Sequence, residues 1–354
     1  MALSLLITQC LQRDFVEPLE PYAPLPNALH VGPQEARRLI GHSPSQGPIA
    51  QLMTWAREQS ESELSIIHIR DWHSENEEEQ ASHFERFGAH CVQGTDGAKL
   101  LVEPLGRAER IIDSRSLNDF IKTPLGPMLD ELKNKAGPEG LRIGVVGVWT
   151  EAKVSFLLYD LLTRGYATNL ATCSALVASA SRSQHFNALA QLRKLLGVKV
   201  FHSIGEFTEW LLPDGKELTT KALFPKERSF CPQLVLKKEA TLSVVDKDII
   251  ALLYRDSAKL TLNPLGGGFS GARVFQVQAK DALGHEQSPS VLKLGSRQLV
   301  GEERAAFERV ESILGNSAPR VHGFADLGEQ AGLKYAYAAI GQGLVTIFKS
   351  LYEK

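Results

Sequence analysis

Residues 1–212 predict a doubly wound α/β fold with a mostly parallel sheet, followed by a smaller α+β unit with an antiparallel sheet. Three observations predict this. Short apolar runs of strand length alternate with amphipathic helices through the first part, the grammar of a parallel sheet covered on both faces. After Trp210 that alternation stops, and from Lys259 short strands follow one another across turns. The length, 354 residues, suits about two domains. The expected division is a first domain over 1–212, a linker over 213–235 and a second domain over 236–354.

The elements follow in order. Leu3–Leu11 is apolar and predicts a buried opening strand. Glu17–Gln51 is rich in Pro and Gly and predicts a long loop ending in a helix start. Ser65–Arg70 (SIIHIR) predicts a second strand, bounded by Asp71. The spacing of Phe120, Leu125, Leu129 and Leu132 predicts a helix over Leu117–Lys135. Leu141–Val148 (LRIGVVGV) reads as a buried strand. Thr150–Arg164 then reads as a helix, with Val154, Leu157, Leu158, Leu161 and Leu162 on one face and Gly165 as its stop. Tyr166–Thr172, His185–Leu196 and Val198–His202 predict a strand, a helix and a strand.

Leu212–Pro232 is polar, carries three prolines and predicts a linker. A helix is expected over 244–256. Next come a strand (KLTLNPL), a glycine loop (GGGFSGA) and strands RVFQVQ and SVLKL. A charged helix over Gln298–Leu314 and strands at Arg320–Ala325 and Leu333–Ala338 complete the order.

Composition narrows the function classes. With 39 Lys+Arg against 41 Asp+Glu, the chain has no global field to hold nucleic acid or an acidic membrane. Four dispersed cysteines, Cys10, Cys91, Cys173 and Cys231, form no CxxC pair, which argues against a disulfide scaffold and a cysteine-built zinc site. No apolar run reaches the roughly 20 residues of a membrane span. The expectation is a soluble, cytoplasmic protein with no nucleic-acid or membrane partner.

Several spaced motifs carry a family resemblance over about 1–210. They are LLITQCLQRDF (Leu5–Phe15), DWH (Asp71–His73), HF (His83–Phe84), HCVQGTDGA (His90–Ala98) and VVGVWTEAKVSFLLYDLLTRGY (Val145–Tyr166). Together they resemble the isochorismatase-like cysteine hydrolases, and within them the nicotinamidases. The resemblance implies a cysteine nucleophile, an aspartate base and a lysine, acting on an amide or ester carbonyl. It puts Lys153 at the nucleophile position, where GVAT-x-x-C reads GVWTEAK. Cys10 stands at the base position, where D-x-Q-x-D-F reads C-L-Q-R-D-F, and Asp14 matches the second acid. Counting back from Phe120 puts Ser114 at the lysine position.

All three catalytic positions have changed. An ammonium cannot replace a thiolate in acyl transfer, so the expectation is a catalytically degenerate domain kept as a small-molecule or metal-binding sensor or scaffold. The alternative is a rewired, metal-containing hydrolase with Cys10 as nucleophile, its pKa lowered by Lys153. The resemblance also implies a divalent ion (zinc, iron or manganese) on Asp71, His73, His83 and His90, with His83 the least secure. A nicotinamide-like ligand is the implied small molecule, although Trp149, replacing a small residue, would narrow the pocket. A homo-oligomer is expected by the same resemblance.

The second domain resembles the N-terminal lobe of kinase-like folds, aminoglycoside phosphotransferases among them. GGGFSGARVF supplies a glycine hairpin with Gly266, Gly268 and Gly271. VLKL supplies Lys293, and the following helix carries Glu302, Glu303, Glu308 and Glu311. Such lobes cradle an ATP-like nucleotide with loop amides and a strand lysine paired to a helix glutamate. Glu308 and Glu311 are better spaced for that pairing than Glu302. No H-x-D-x-x-x-x-N loop and no D-F-G motif follow, so phosphoryl transfer is not expected of these residues. Either the sequence is part of a longer protein, or the lobe is a separate binding or docking module.

Overall fold

The computed structural model describes residues 3–20, 23–41, 44, 47–106, 109–167, 169–218, 232–237, 240–265, 271–314 and 319–337. The chain divides into two compact units, Met1–Leu223 and Phe224–Lys354.

In the first unit β1 (Leu3–Gln9) opens the sheet with every residue buried. A helical turn, α1 (Arg13–Val16), then α2 (Pro33–Ile40) and α3 (Pro48–Arg57), lead to β2 (Leu64–Asp71). The expected long loop over 17–51 is thus corrected to a segment containing two helices. Each begins with proline at the first helical position, where the missing N–H costs nothing and the fixed φ suits the helix. Next come α4 (Ala81–Phe87), β3 (Glu109–Ser114), α5 (Leu125–Ala136) and β4 (Leu141–Val148). A π-type turn over Thr150–Val154 opens α6 (Ser155–Thr163). β5 (Asn169–Cys173), β6 (Val177–Ala178), α7 (Arg182–Leu196), β7 (Lys199–Phe201) and α8 (Ile204–Leu211) complete the unit.

The sheet runs β3-β2-β1-β4-β5-β7, with β6 paired to β4. Its ladders are parallel throughout. β1 and β4 carry almost unbroken apolar sequence because both of their faces are covered. Residues of α2, α3 and α8 share one core with Leu6, Val146, Val148 and Ala171 of the sheet. β3 has no counterpart in the sequence reading: as the sheet's end strand its burial is broken by exposed positions, so ERIIDS shows no apolar run. The predicted helix at Leu117 begins only at Leu125.

Chain order reverses between β1 and β4. The next strands after β1 go to one side, and β4 returns on the other. In open α/β sheets that crevice, at the carboxyl ends of the strands, is where side chains of several loops meet. The two strands approach closely there: a Cβ on Gly147 (φ +117°) would lie 2.1 Å from the Gln9 carbonyl oxygen.

The second unit contains β8 (Gln233–Leu236), α9 (Val244–Leu253), β9 (Lys259–Leu265), β10 (Arg273–Lys280) and β11 (Ser290–Ser296). α10 (Arg297–Leu314), β12 (Val321–Leu327) and β13 (Gln330–Ala336) follow. Its sheet runs β12-β13-β11-β10-β9-β8. The ladders are antiparallel except that β8 runs parallel to β9, which makes the expected antiparallel sheet a mixed one. A capping box of Ser243 and Asp246 starts α9. Val300 of α10 packs with Ala331 and Leu333 of β13, fixing the helix on one face of the sheet.

Among the described residues no helix is long and apolar enough to cross a membrane.

Candidate functional site

The strand ends at the crevice deliver the predicted positions to one place. Cys10 follows β1, Asp71 ends β2, Ser114 ends β3, and Lys153 lies in the turn after β4. All four are buried.

Lys153 is the hub. Its Nζ donates to Asp119 Oδ1 at 2.5 Å, to Ser116 O at 2.8 Å and to Ser114 Oγ at 3.2 Å, and lies 3.0 Å from Asp71 Oδ1. Burial disfavours the ammonium, but Asp119 and Asp71 outweigh it and hold the Lys153 pKa above its ordinary value. For Asp71, burial likewise opposes ionisation, yet Lys153 and His73 keep the carboxyl well below the usual carboxylate range. Lys153 therefore stays a cation with no free base form to act as nucleophile.

Cys10 meets the opposite fate. Its Sγ donates to Asp71 Oδ1 at 3.5 Å and accepts from Gln9 Nε2 at 3.3 Å. Burial first, then the neighbouring Asp71 charge, push the thiol well above its ordinary pKa, and Lys153 does not reverse this. Against the expected activation of Cys10 by Lys153 stand its burial, 1% exposed, and its contact with the Asp71 carboxylate.

Backbone and side-chain ties hold these groups in register. Gln12 brackets the Asp71 peptide, accepting from its N–H and donating to its carbonyl, both at 2.7 Å. Asp14 Oδ2 accepts from the Cys91 N–H at 2.6 Å, which anchors the loop carrying His90. Trp149 packs, partly buried, against the core of the unit.

His73, His83 and His90 converge beside this cluster, their ligand nitrogens all within 4.8 Å of one another. His83 Nε2 and His90 Nε2 are 3.2 Å apart, and the His73 and His83 rings stack with centroids 4.3 Å apart. His90 Nδ1 donates to Gly88 O at 2.8 Å, which leaves the Nε2 lone pair facing the group. His73 Nδ1 sits 3.0 Å from Gln80 Oε1, and its buried Nε2 has no hydrogen-bond partner. Burial lowers the pKa of His90, and burial followed by the other two imidazoles pushes His83 down to about 4, so both rings are neutral donors.

Three converging imidazoles, one with an orphaned buried nitrogen, fit a divalent cation such as zinc, iron or manganese. The expected four-residue set is modified in one respect. Asp71 stands beside the histidines, with Oδ2 3.7 Å from His73 Nε2, but its Oδ1 is turned to Lys153. His83, the least secure position in the sequence, belongs to the group because α4 presents it toward His73 and His90.

Sequence reasoning missed Asp119, Gln12 and Gln80. A signal existed for Asp119, since a lysine facing the strand ends of a buried sheet requires a carboxylate. Nothing in the local sequence marks which acid supplies it.

In the second unit Lys293 pairs with Glu303 of α10. Glu308, better spaced in the sequence reading, instead pairs with Arg304 at 3.0 Å one turn along the same helix. Of the helix glutamates that the sequence left open as partners, Glu303 is the one that meets Lys293. The register places Lys293 between Val274 of β10 and Leu333 of β13. Gly271 has φ +71°, while Gly266 and Gly268 lie outside the described residues.

A family model described as the isochorismatase domain matches residues 7–203, more than half of the 354-residue chain. A second, described as ternary complex associated domain 9, matches 258–354. No curated protein matches. Among solved structures, an isochorismatase-like hydrolase from Alkaliphilus metalliredigens is 24% identical, covering 56% of this chain and 94% of its own (TM-score 0.44). A pyrazinamidase/nicotinamidase from Streptococcus mutans is 22% identical, covering 56% and 99% (TM-score 0.43). A pyrazinamidase of Pyrococcus horikoshii in complex with zinc is 26% identical, covering 55% and 97% (TM-score 0.41).

Proposed function

The chain belongs to the isochorismatase family, and on that footing we propose that its first unit is a non-hydrolytic, metal-binding member that serves as a small-molecule sensor or scaffold. The carrying observation is the state of Lys153. At the position the resemblance assigns to the nucleophile there is a buried ammonium, held by two carboxylates, a carbonyl and a hydroxyl. It has neither a lone pair nor a vacant direction for attack on a carbonyl. The base position offers a protonated Cys10 that donates where the family's aspartate would accept.

The rest of the site supports retention of binding. His73, His83 and His90 would hold a divalent cation, with Asp71 alongside. Such an ion supplies a Lewis-acidic position for a carbonyl oxygen or a pyridine-like nitrogen. Asp14 and Gln12 hold the flanking loops, and Gln80 orients His73. The ligand class this favours is a small, nicotinamide-like molecule, whose pyridine nitrogen or carbonyl oxygen suits the Lewis-acidic position such an ion would supply.

For the second unit, the Lys293–Glu303 pair supports a kinase-like lobe that contacts nucleotide phosphate or docks a partner. The match to a ternary complex associated domain supports the docking role.

Metal analysis of the purified protein, combined with a nicotinamide hydrolysis assay, tests the first unit. Bound divalent metal without turnover is expected. Turnover abolished by Cys10→Ala would overturn the non-hydrolytic reading, and metal-free protein after reconstitution would overturn the metal site.

A further inference from the structure

Asp71 is contested. One oxygen, Oδ1, lies 3.0 Å from the Lys153 ammonium, and the other, Oδ2, lies 3.7 Å from the orphaned His73 Nε2. A cation among the three histidines and the ammonium of Lys153 would draw on the same carboxylate. What decides the contest is a residue outside the family's motif positions. Asp119 Oδ1 takes Lys153 Nζ at 2.5 Å, the shorter of the two carboxylate contacts. Asp119 is itself buried, its Oδ1 is engaged by Lys153, and its Oδ2 has no hydrogen-bond partner.

Resting on the metal-site reading above, we propose that Asp119 is a positioning residue that holds Lys153 and thereby leaves Asp71 available to a divalent cation at His73, His83 and His90. Lys153, placed where a nucleophile would stand, acts as an internal competitor for Asp71. The balance among Asp119, Lys153 and Asp71 then sets the affinity of the site. With Asp119 neutralised, the ammonium has Asp71 as its one carboxylate neighbour among the described residues and withdraws it from the cation. With the ammonium removed, Asp71 loses its competitor and joins the histidines.

The two perturbations therefore have opposite signs, which a loss of packing alone would not produce. Binding of Co²⁺ and Zn²⁺ to the full chain is measured by competition titration, with the Co²⁺ visible spectrum as a second readout. Asp119→Asn is expected to weaken binding by about tenfold or more, within the range found for residues that orient metal ligands. Asp119→Glu is expected to restore most of that loss. Lys153→Met is expected to tighten binding by about tenfold and to change the Co²⁺ bands as a carboxylate joins the ligand set. Affinities in Asp119→Asn and Lys153→Met that move in the same direction, or stay within about twofold of the unaltered protein, overturn the inference. Should Lys153→Met fail to fold, the contrast between Asp119→Asn and Asp119→Glu decides, equal affinities overturning it. An unaltered protein that binds neither ion removes the metal-site reading as well. One that binds both while the variants stay silent removes this inference alone.

Discussion

Two lysines, Lys153 in the first unit and Lys293 in the second, are built differently. Lys153 is 5% exposed and is surrounded by Asp119, Asp71, Ser114 and Ser116. Lys293 sits on a strand with its side chain 12% exposed and pairs with Glu303, which is itself 23% exposed. The first ammonium has its donors consumed inside the protein. The second has a single carboxylate neighbour among the described residues. A buried lysine whose donors are all satisfied internally is thus a structural group, whereas one paired with a single carboxylate keeps donors for other partners.

The largest effect that would break this contrast is on stability. Lys153→Ala leaves Asp71 and Asp119 buried without their cation, and should cost about 3–5 kcal/mol by urea denaturation. A cost below about 1 kcal/mol would mean that Lys153 is not structural.

Cys10 sharpens the same contrast from the other side of Asp71. Its thiol should react with a disulfide reagent about a hundredfold or more slower than a cysteine in the unfolded chain at pH 8. Labelling at the unfolded rate, lost in Cys10→Ser, would point back to the rewired hydrolase.

Glu109 tests the satisfaction rule at a third buried charge, away from the site. It accepts from Arg57 at 2.7 Å and 2.9 Å and lies 2.9 Å from His68 Nε2. Burial raises its pKa, but the bonds from His68 and Arg57 outweigh this and bring it from 4.5 to about 2. Because the folded pKa lies below the unfolded one, Glu109 stabilises fully above about pH 4.5, and that contribution is lost as pH falls toward about 2. Glu109→Gln should flatten the acid limb of the stability curve in this window.

The smallest stability effect is expected at Lys293. Lys293→Ala should change stability by about 1 kcal/mol or less, since the pair is part-exposed. It should nonetheless weaken ATP binding by about tenfold, the size of one phosphate contact. ATP binding that is independent of Lys293 would place the two lysines in the same structural class.

The fold was legible where burial is one-sided or complete. LSLLITQ and LRIGVVGV announce central strands because both of their faces are covered. β3 was hidden because an edge strand carries charges on its exposed positions, and α2 and α3 because proline signals helix starts as well as loops. In the site, the family resemblance is what pointed to Asp71, His73, His83 and His90, since these residue types recur in the family's order. Asp119 was illegible: it reaches Lys153 across 34 residues from a turn with no periodic pattern.

By itself, then, the sequence determined the parallel α/β architecture and, through the family resemblance, which residues to look for at the crevice, Lys153 among them. Hydrophobic patterning and residue identity are local properties, and they carry that much. Only the tertiary structure decided which acids neutralise the amine, that Cys10 faces the Asp71 carboxylate, and that Glu303 rather than Glu308 meets Lys293. Those outcomes depend on burial and on distances between segments far apart in the chain, where the cost of an uncompensated charge selects the partner.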